Sequence, residues 1–279
     1  MEEKLSMEIF IPGKTNESDA LKRTTHLAVS AHQDDIEFMA YDGILKCFKN
    51  PELHFTGVVA ADGAGSPRSG KYAGLTDGDM MCLRKEEQKR AAVIGEYNAQ
   101  IFLDLPSGKL KDSSDSTAVE YFKEIVSRTT PRIIYTHNTA DRHETHVAVA
   151  LRLVQALREL GYIPEAFYGC EVWRGLDWVN EDEKVVFDVG GREDLEAALL
   201  GVFDSQIAGG KRYDLAVMGR RRANATFSQA HGVDTARETI FAMDLLPLLK
   251  DKELSVSGYT EEFILRFAKS VKEKITELE

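Results

Sequence analysis

Short apolar runs alternate with longer amphipathic stretches through the first 160 residues, and this alternation restricts the fold more than any other feature of the sequence. The runs predicted as buried strands are His26–Ala31, His54–Ala61, Gln100–Leu105 and Pro131–Thr136. The stretches predicted as helices are Ile36–Phe48, Asp79–Tyr97, Ser116–Thr129 and Arg142–Leu160, the last one stopped by Gly161. Strands that are apolar on both faces need helices on both sides. We therefore expect a Rossmann-like α/β fold with a mostly parallel sheet and helices on both faces.

The alternation becomes less regular after residue 165. Predicted strands there are Ala166–Trp173 and Lys184–Val189, and predicted helices are Arg192–Gln206, Tyr213–Phe227 and Thr260–Leu278. No internal repeat and no Pro/Gly/Ser-rich linker divides the sequence. We predict one domain over residues 1–279, with a core over about residues 24–160 and a C-terminal elaboration over about residues 161–279.

Composition excludes several classes of partner. The formal net charge is −11, with 35 Lys and Arg against 46 Asp and Glu, and nucleic-acid binding needs clustered positive charge that the short run Gly219–Arg222 does not provide. Uncharged apolar runs such as Phe55–Ala61 are far shorter than the roughly 20 residues of a membrane span. The start of the chain lacks the order of a secretory signal, and the three cysteines are too scattered for a disulfide framework. The sequence predicts a cytoplasmic protein without a membrane span.

Two loops hold the residues that can carry chemistry. Residues 30–37 follow the first predicted strand, residues 136–146 follow the fourth, and together they contain four of the seven histidines. Ligands of open α/β sheets bind beyond the carboxyl ends of the strands. Two imidazoles and one carboxylate form a catalytic zinc site that leaves one position open for water. The two loops therefore predict a divalent metal site.

Each loop alone also has an ordinary structural explanation. Asp34 and Asp35 could cap the helix that follows them and interact with its dipole. His143 and His146 could be solvated residues in the first turn of another helix. The placement of both loops at strand ends, with complementary ligand types, favours the metal site.

The loop Ala31–Glu37 resembles the Ala-His-Pro-Asp-Asp-x-Glu motif of the LmbE-like, or PIG-L, family of zinc-dependent deacetylases. The segment Asp141–His146 resembles the Asp-x-His-x-x-His segment of that family. A helix with Arg84-x-x-Glu87 and a later Ile94-Gly95 extends the similarity, which covers about residues 24–160.

The sequence departs from the family pattern at two places. Gln33 stands where the family usually has proline, which concerns the rigidity of the loop rather than its chemistry. Glu144-Thr145 replaces the more usual Pro-Asp between the two histidines. A carboxylate that orients a ligand histidine is then either absent or supplied by Glu144.

The resemblance implies a role for each residue of the two motifs. His32, Asp35 and His146 would bind Zn²⁺, with Fe²⁺ as the alternative ion. Asp34 would be the general base for a water that attacks an N-acetyl carbonyl, and a protonated His143 would stabilise the oxyanion or protonate the departing amine. The implied reaction is removal of the acetyl group from an N-acetylglucosamine-type sugar or conjugate, so the expected partner is a small molecule.

Other residues have weaker predictions. Arg68, in the loop after the second strand, would bind a substrate hydroxyl or phosphate, or is a solvated loop charge. Arg84 and Glu87 are predicted as a pair on a helix surface or as loop anchors. Trp173 would pack in the core or line a sugar subsite, and the lone His231 is not included in the site.

Two other functions stay open from the sequence alone. A metal-dependent phosphoesterase could use the same His and Asp residues, although it would normally need a second metal and more bridging carboxylates. A sugar-binding module without catalysis could keep the same fold. Exposed helices also make a homo-oligomer an expectation that the sequence does not decide.

Overall fold

The computed structural model describes residues 6–226 and 232–279. The strands are β1 (Glu8–Phe10), β2 (His26–Ser30), β3 (Phe55–Ala61), β4 (Ala99–Leu105), β5 (Ile133–His137), β6 (Ala166–Cys170), β7 (Val185–Asp188) and β8 (Thr239–Asp244). The helices are α1 (Glu17–Lys22), α2 (Asp35–Met39), α3 (Tyr41–Cys47), α4 (Asp77–Ile94), α5 (Ser107–Lys111), α6 (Thr117–Thr129), α7 (Glu144–Leu160), α8 (Glu193–Gly201), α9 (Asp204–Ile207), α10 (Tyr213–Thr226), α11 (Pro247–Lys250) and α12 (Val256–Leu278).

All eight strands form one sheet in the order β1-β4-β3-β2-β5-β6-β8-β7. The five strands from β4 to β6 run parallel, whereas β1 and β8 pair antiparallel with their neighbours. Neighbouring residues of β3 alternate between the two faces, with Val58 in one apolar cluster and Val59 in the other. Helices α6, α7 and α12 contribute to the first cluster, and α2, α3 and α8 contribute to the second. The predicted α/β fold, with a mostly parallel sheet covered on both faces, is confirmed.

The register of the sheet brings the two predicted loops together. His26 of β2 is opposite Phe55 of β3 on one side and Ile133 of β5 on the other. Because β2 and β5 are adjacent and parallel, the segments that follow them leave the same edge of the sheet side by side.

The predicted ends of the first four strands are correct to within two residues, and the differences elsewhere have local causes. Predicted helix Ile36–Phe48 is two helices, because the backbone leaves helical geometry at Ala40. Predicted helix Arg192–Gln206 is likewise divided, into α8 and α9. Helix α12 begins four residues earlier than predicted, where the Ser255 side chain accepts a hydrogen bond from the amide of Gly258.

Five elements were not predicted, namely β1, α1, α5, β8 and α11. Of these, β8 changes the sheet topology most, because it inserts between β6 and β7 and pairs antiparallel with both. Helix α7 ends as predicted at Gly161, whose φ of 65° is a left-handed conformation that glycine adopts at little cost. Predicted helix Tyr213–Phe227 is present as α10 up to Thr226, and Phe227 lies outside the described residues.

A buried arginine fastens the C-terminal third of the chain to the helix beneath the first loop. Arg221 on α10 is 2% exposed, and its Nη1 donates to Glu196 Oε1 on α8 at 2.6 Å. Its Nη2 donates to the carbonyl oxygens of Glu37 and Phe38, at 2.7 and 3.1 Å. These carbonyls belong to α2, so Arg221 restrains the helix that begins at Asp35.

Within residues 6–226 and 232–279, the structure contains no helix with the combination of length and apolar character that crossing a membrane requires.

His26 makes the stability of the fold depend on pH. Burial at the start of β2 lowers the pKa of its side chain to about 4. Between that value and the ordinary pKa of about 6.5, the unfolded chain binds a proton that the folded chain does not. The free energy of unfolding therefore falls as pH falls through this interval, by about 1.4 kcal/mol per pH unit from this residue.

We expect His26→Gln to remove this contribution, because an amide does not titrate. Urea unfolding of the parent protein and the variant across the interval measures the difference in slope. Equal slopes for the two proteins would show that His26 is not the titrating group.

Candidate metal centre and its cavity

Three side chains from the two loops converge at the edge of the sheet between β2 and β5. Asp35 Oδ2 lies 3.3 Å from His32 Nδ1 and 3.3 Å from His146 Nε2, and the two histidine nitrogens are 3.2 Å apart. His146 is fully buried, and one ligand atom from each of the three residues lies within 4.8 Å of the others. The structure thus brings together the three residues that the resemblance implies as metal ligands.

The two ring nitrogens of His146 face two different carboxylates. Its Nδ1 lies 3.2 Å from Asp141 Oδ1 and its Nε2 lies 3.3 Å from Asp35 Oδ2. Burial opposes the charged form of Asp35, but His146, His32 and His137 outweigh it and lower the pKa of this carboxyl. A carboxylate and imidazole lone pairs that converge in a buried place repel one another unless a cation lies between them. These donors fit a divalent ion.

The carboxylate that orients His146 is Asp141 and not Glu144, which corrects the expectation from sequence. The Glu144 side chain is 83% exposed, and its carboxylate lies 3.5 Å from Lys111 Nζ. Asp141 also accepts hydrogen bonds from the amides of His143 and Trp173, at 2.9 and 3.0 Å. The loop Thr136–His146 therefore carries its own orienting group.

Asp34 occupies a strained backbone position next to the candidate ligands. Its φ is 87°, a left-handed conformation that is rare for aspartate. Its amide donates to Gln88 Oε1 at 3.0 Å, and its Oδ2 accepts from Arg84 Nη2 at 2.8 Å. Burial raises the pKa of Asp34, and the Arg84 guanidinium opposes that shift. The surrounding contacts hold a carboxyl of increased basicity at the wall of the cavity.

Arg84 and Glu87 are loop anchors, and the alternative of a pair on the helix surface is wrong because both side chains are buried. Arg84 donates to the carbonyl of Gln33 and, at 2.6 Å, to Ser66 Oγ in the loop after β3. Glu87 accepts from the amide and the hydroxyl of Ser205, at 2.7 and 2.6 Å. Helix α4 therefore connects two loops and the short helix α9 around the site.

Gln33, which replaces the usual proline, is held by packing. Its side chain is fully buried against Gly63, where an added Cβ would lie 2.6 Å from Gln33 Oε1. Gly63 has a φ of 78°, so a side chain there would also be strained. This close contact compensates in part for the rigidity that a proline would give.

His143 is the N-cap residue of α7, and its ring lies 4.7 Å from the rings of both His32 and His146. Burial, with the two neighbouring histidines, lowers the pKa of His143 to about 4. The protonated form expected from sequence is therefore disfavoured at neutral pH. Because His143 Nδ1 accepts a hydrogen bond from the Thr145 amide at 3.3 Å, the neutral ring carries its proton on Nε2 and can still donate a hydrogen bond.

His137, the last residue of β5, supports the site although sequence analysis gave it no role. It is fully buried and stacks on His146 with ring centroids 4.0 Å apart. Its Nε2 accepts from the amide of Ala31 at 2.8 Å, which joins the two loops. Its position at the carboxyl end of a strand was the one signal for it in the sequence.

The candidate centre opens into a cavity of about 430 Å³. His32, Asp34, Asp35 and His143 line it, while Arg68 is not among its lining residues. The Arg68 guanidinium instead donates to the carbonyl of Ala64 and to Asp77 Oδ1, at 2.7 and 2.6 Å. His231 lies outside the described residues.

The family was established by comparison with known proteins. A profile described as PIG-L, GlcNAc-PI de-N-acetylase, matches residues 27–157. Residues 27–157 form a PIG-L family domain. The search of curated proteins gave no match.

Solved structures with low sequence identity share the fold of this chain. An N,N'-diacetylchitobiose deacetylase from Pyrococcus horikoshii has a TM-score of 0.62 and 13% identity, over 82% of this chain and 86% of that one. The 4-carboxy-2-hydroxymuconate hydratase GalB from Pseudomonas putida KT2440 has a TM-score of 0.61 and 17% identity, over 80% and 96%. The zinc-inhibited form of the teicoplanin deacetylase Orf2 has a TM-score of 0.57 and 15% identity, over 78% and 97%.

The PIG-L match contains the candidate ligands but not the whole cavity. Trp173, Gln206, Lys211 and Tyr213 also line the cavity and follow the matched residues in the chain. The ring of Trp173 lies 5.8 Å from that of His143 in an edge-on arrangement. The C-terminal third therefore supplies one side of the space that a substrate would occupy.

Proposed function

We propose that this protein is a metal-dependent N-deacetylase that hydrolyses the acetyl amide of an N-acetylglucosamine-type sugar or sugar conjugate. The observation that carries the proposal is the convergence of His32, Asp35 and His146, at the motif positions of a PIG-L domain, on a cavity that Asp34 and His143 also line. The deacetylases among the structural neighbours support the same reaction class.

In the proposed mechanism the three candidate ligands share one task, and Asp34 and His143 each have another. A divalent cation, zinc or iron(II), held by His32, Asp35 and His146 would polarise the acetyl carbonyl and make a water molecule more acidic. Asp34 takes a proton from the water that attacks the carbonyl carbon, a task that its raised pKa suits.

The remaining steps stabilise charge and release the products. Neutral His143 donates a hydrogen bond from Nε2 to the oxygen on which negative charge develops. The proton held by Asp34 passes to the sugar nitrogen as the C–N bond breaks. The products are acetate and a free amine.

The proposal includes a small N-acetyl sugar as partner and, from the sequence, a cytoplasmic location. Arg68 reaches the substrate only if its contact with Asp77 breaks. The homo-oligomer stays a prediction of the sequence.

Two other reactions are separated from deacetylation by their products. A hydratase shares the fold, and it would add water to a substrate without releasing acetate. A phosphoesterase would release phosphate and would normally use two metals. Among the described residues, the grouping of three His, Cys, Asp or Glu side chains with metal-ligand spacing is the single set His32, Asp35 and His146. The presence of one such set among them, rather than two, favours a reaction that uses one metal ion.

The test is an assay of acetate and free amine over a panel of N-acetylglucosamine conjugates, with Zn²⁺ or Fe²⁺ added. We expect the two products in equal amounts, loss of both on chelation, and recovery when metal is restored. Acetate release that ignores the chelator, or phosphate as the product, would refute the proposal.

A further inference from the structure

We propose that the cavity contains a subsite for an anionic group of the substrate, a phosphate or a carboxylate, and that Lys211 binds this group. The inference rests on the proposed function for the identity of the sugar part. It adds an anionic group to the expected substrate, which the metal centre does not determine. Lys211 lies in the C-terminal third, outside the residues that match the PIG-L family.

Three basic side chains line the cavity, and Lys211 differs from the other two in its ion pairing. Arg84 is bound to Asp34 at 2.8 Å, and Lys111 lies 3.5 Å from Glu144. Lys211 also lines the cavity, but it forms no ion pair with any residue in the described parts of the chain. Its ammonium is therefore free to bind an anion from outside the protein.

The ammonium of Lys211 has a defined position within the cavity. It lies 4.9 Å from the centroid of the Trp173 ring, in a cation–π contact. The same ring contacts His143, whose ring in turn lies beside those of His32 and His146, so Trp173 and His143 lie between Lys211 and the candidate ligands. A sugar whose acetyl amide lies at the metal centre could extend along Trp173 and present an anionic substituent to Lys211.

The sign of charge in the cavity differs from that of the whole chain. Its lining contains the acids Asp34 and Asp35 but the bases Arg84, Lys111 and Lys211, whereas the chain has a net charge of −11. A divalent cation at the candidate centre would make the cavity more positive still. Such a local excess of positive charge attracts an anionic ligand and disfavours a cationic one.

A lysine is suited to either anion. Its ammonium is a compact charge with three donors, so it binds phosphate or carboxylate without requiring the fork geometry of arginine. A charge-assisted hydrogen bond of this kind raises affinity about tenfold or more. The competing explanation is that Lys211 only packs on Trp173.

The test measures binding to the metal-loaded protein by calorimetry at low ionic strength. The ligands are N-acetylglucosamine, its 1-phosphate and its glycoside with glycolic acid, so that a phosphate and a carboxylate are compared with a neutral sugar. The variants are Lys211→Gln, Lys211→Arg and, as a matched change of charge on the exposed face of α12, Lys269→Gln.

We expect at least one anionic sugar to bind about tenfold more tightly than the neutral sugar. Lys211→Gln should abolish this preference, whereas Lys211→Arg and Lys269→Gln should retain it. The stronger of the two anionic ligands identifies the group. Equal affinities for all three sugars, no binding of any, or a preference that survives in Lys211→Gln would overturn the inference.

Acetate release, measured separately, distinguishes this inference from the proposed function. Release from sugars without any preference for the anion would overturn the subsite alone. Selective binding that depends on Lys211, without acetate release from any sugar, would support the subsite and overturn the deacetylase proposal.

Discussion

Asp34→Asn lowers kcat for acetate release by about 10²–10⁴-fold, the contribution usual for general acid–base catalysis. Asparagine has nearly the same shape as aspartate, so its side-chain oxygen can still accept the hydrogen bond from Arg84. It cannot take a proton from water. The variant should therefore bind metal and substrate like the parent protein while the chemical step fails.

The measurement is kcat and KM for acetate release, together with metal content. Glu144→Gln is the matched control, because it also neutralises an acid near the mouth of the cavity but its side chain is 83% exposed. It should keep an activity close to that of the parent. A variant at Asp34 that loses metal in proportion to activity would make Asp34 a ligand instead, and an unchanged kcat would remove it from the mechanism.

The sheet could be predicted from sequence because its central strands are buried on both faces. Every residue of β2 and β3 is buried, and each strand is mostly apolar, with polar His26 and Ser30 at the ends of β2 and polar Thr56 within β3. The ends of the buried strands also located the two candidate loops, since the residues that can bind metal or carry out chemistry follow β2 and β5. Periodicity and the two motifs were sufficient for this part.

The division of helices could not be predicted in the same way. Ala40 separates α2 from α3 without any proline or glycine at the break. The restraint on α2 comes from Arg221, more than 180 residues later in the chain. A contact of that sequence separation leaves no trace in local hydrophobic periodicity.

The electrostatic details of the site also depend on three-dimensional contacts. The departure from the family pattern left the orienting carboxylate either absent or supplied by Glu144, but the start of α7 turns that side chain to solvent and places Asp141 beside His146. The positive charge expected on His143 is disfavoured for a similar reason. Its environment is half-buried and shared with two other histidines, which disfavours a further positive charge.

We expect His146→Ala to prevent metal binding and to lower acetate release by more than about 10³-fold, since the ion would stabilise transition-state charge by several kcal/mol. The loss should be larger than that of any single orienting group. Asp141→Asn, which changes the group beside His146 Nδ1 but leaves all three candidate ligands in place, should weaken metal affinity by about 10–100-fold. The two variants together separate the ligand from the group that orients it.

Metal content by elemental analysis and acetate release, measured on the same samples, test this expectation. His146 is fully buried, so its removal could also destabilise the fold, and thermal unfolding of the metal-free proteins identifies that case. His32→Ala then gives an independent test, because the His32 side chain is 18% exposed and its loss disturbs the core less. His54→Ala, a histidine at the opposite end of the sheet from the loops, is the control that should keep both metal and activity. Stoichiometric metal in both His146→Ala and His32→Ala would show that these residues do not form the centre, because a site with three protein ligands does not keep its affinity after losing one of them.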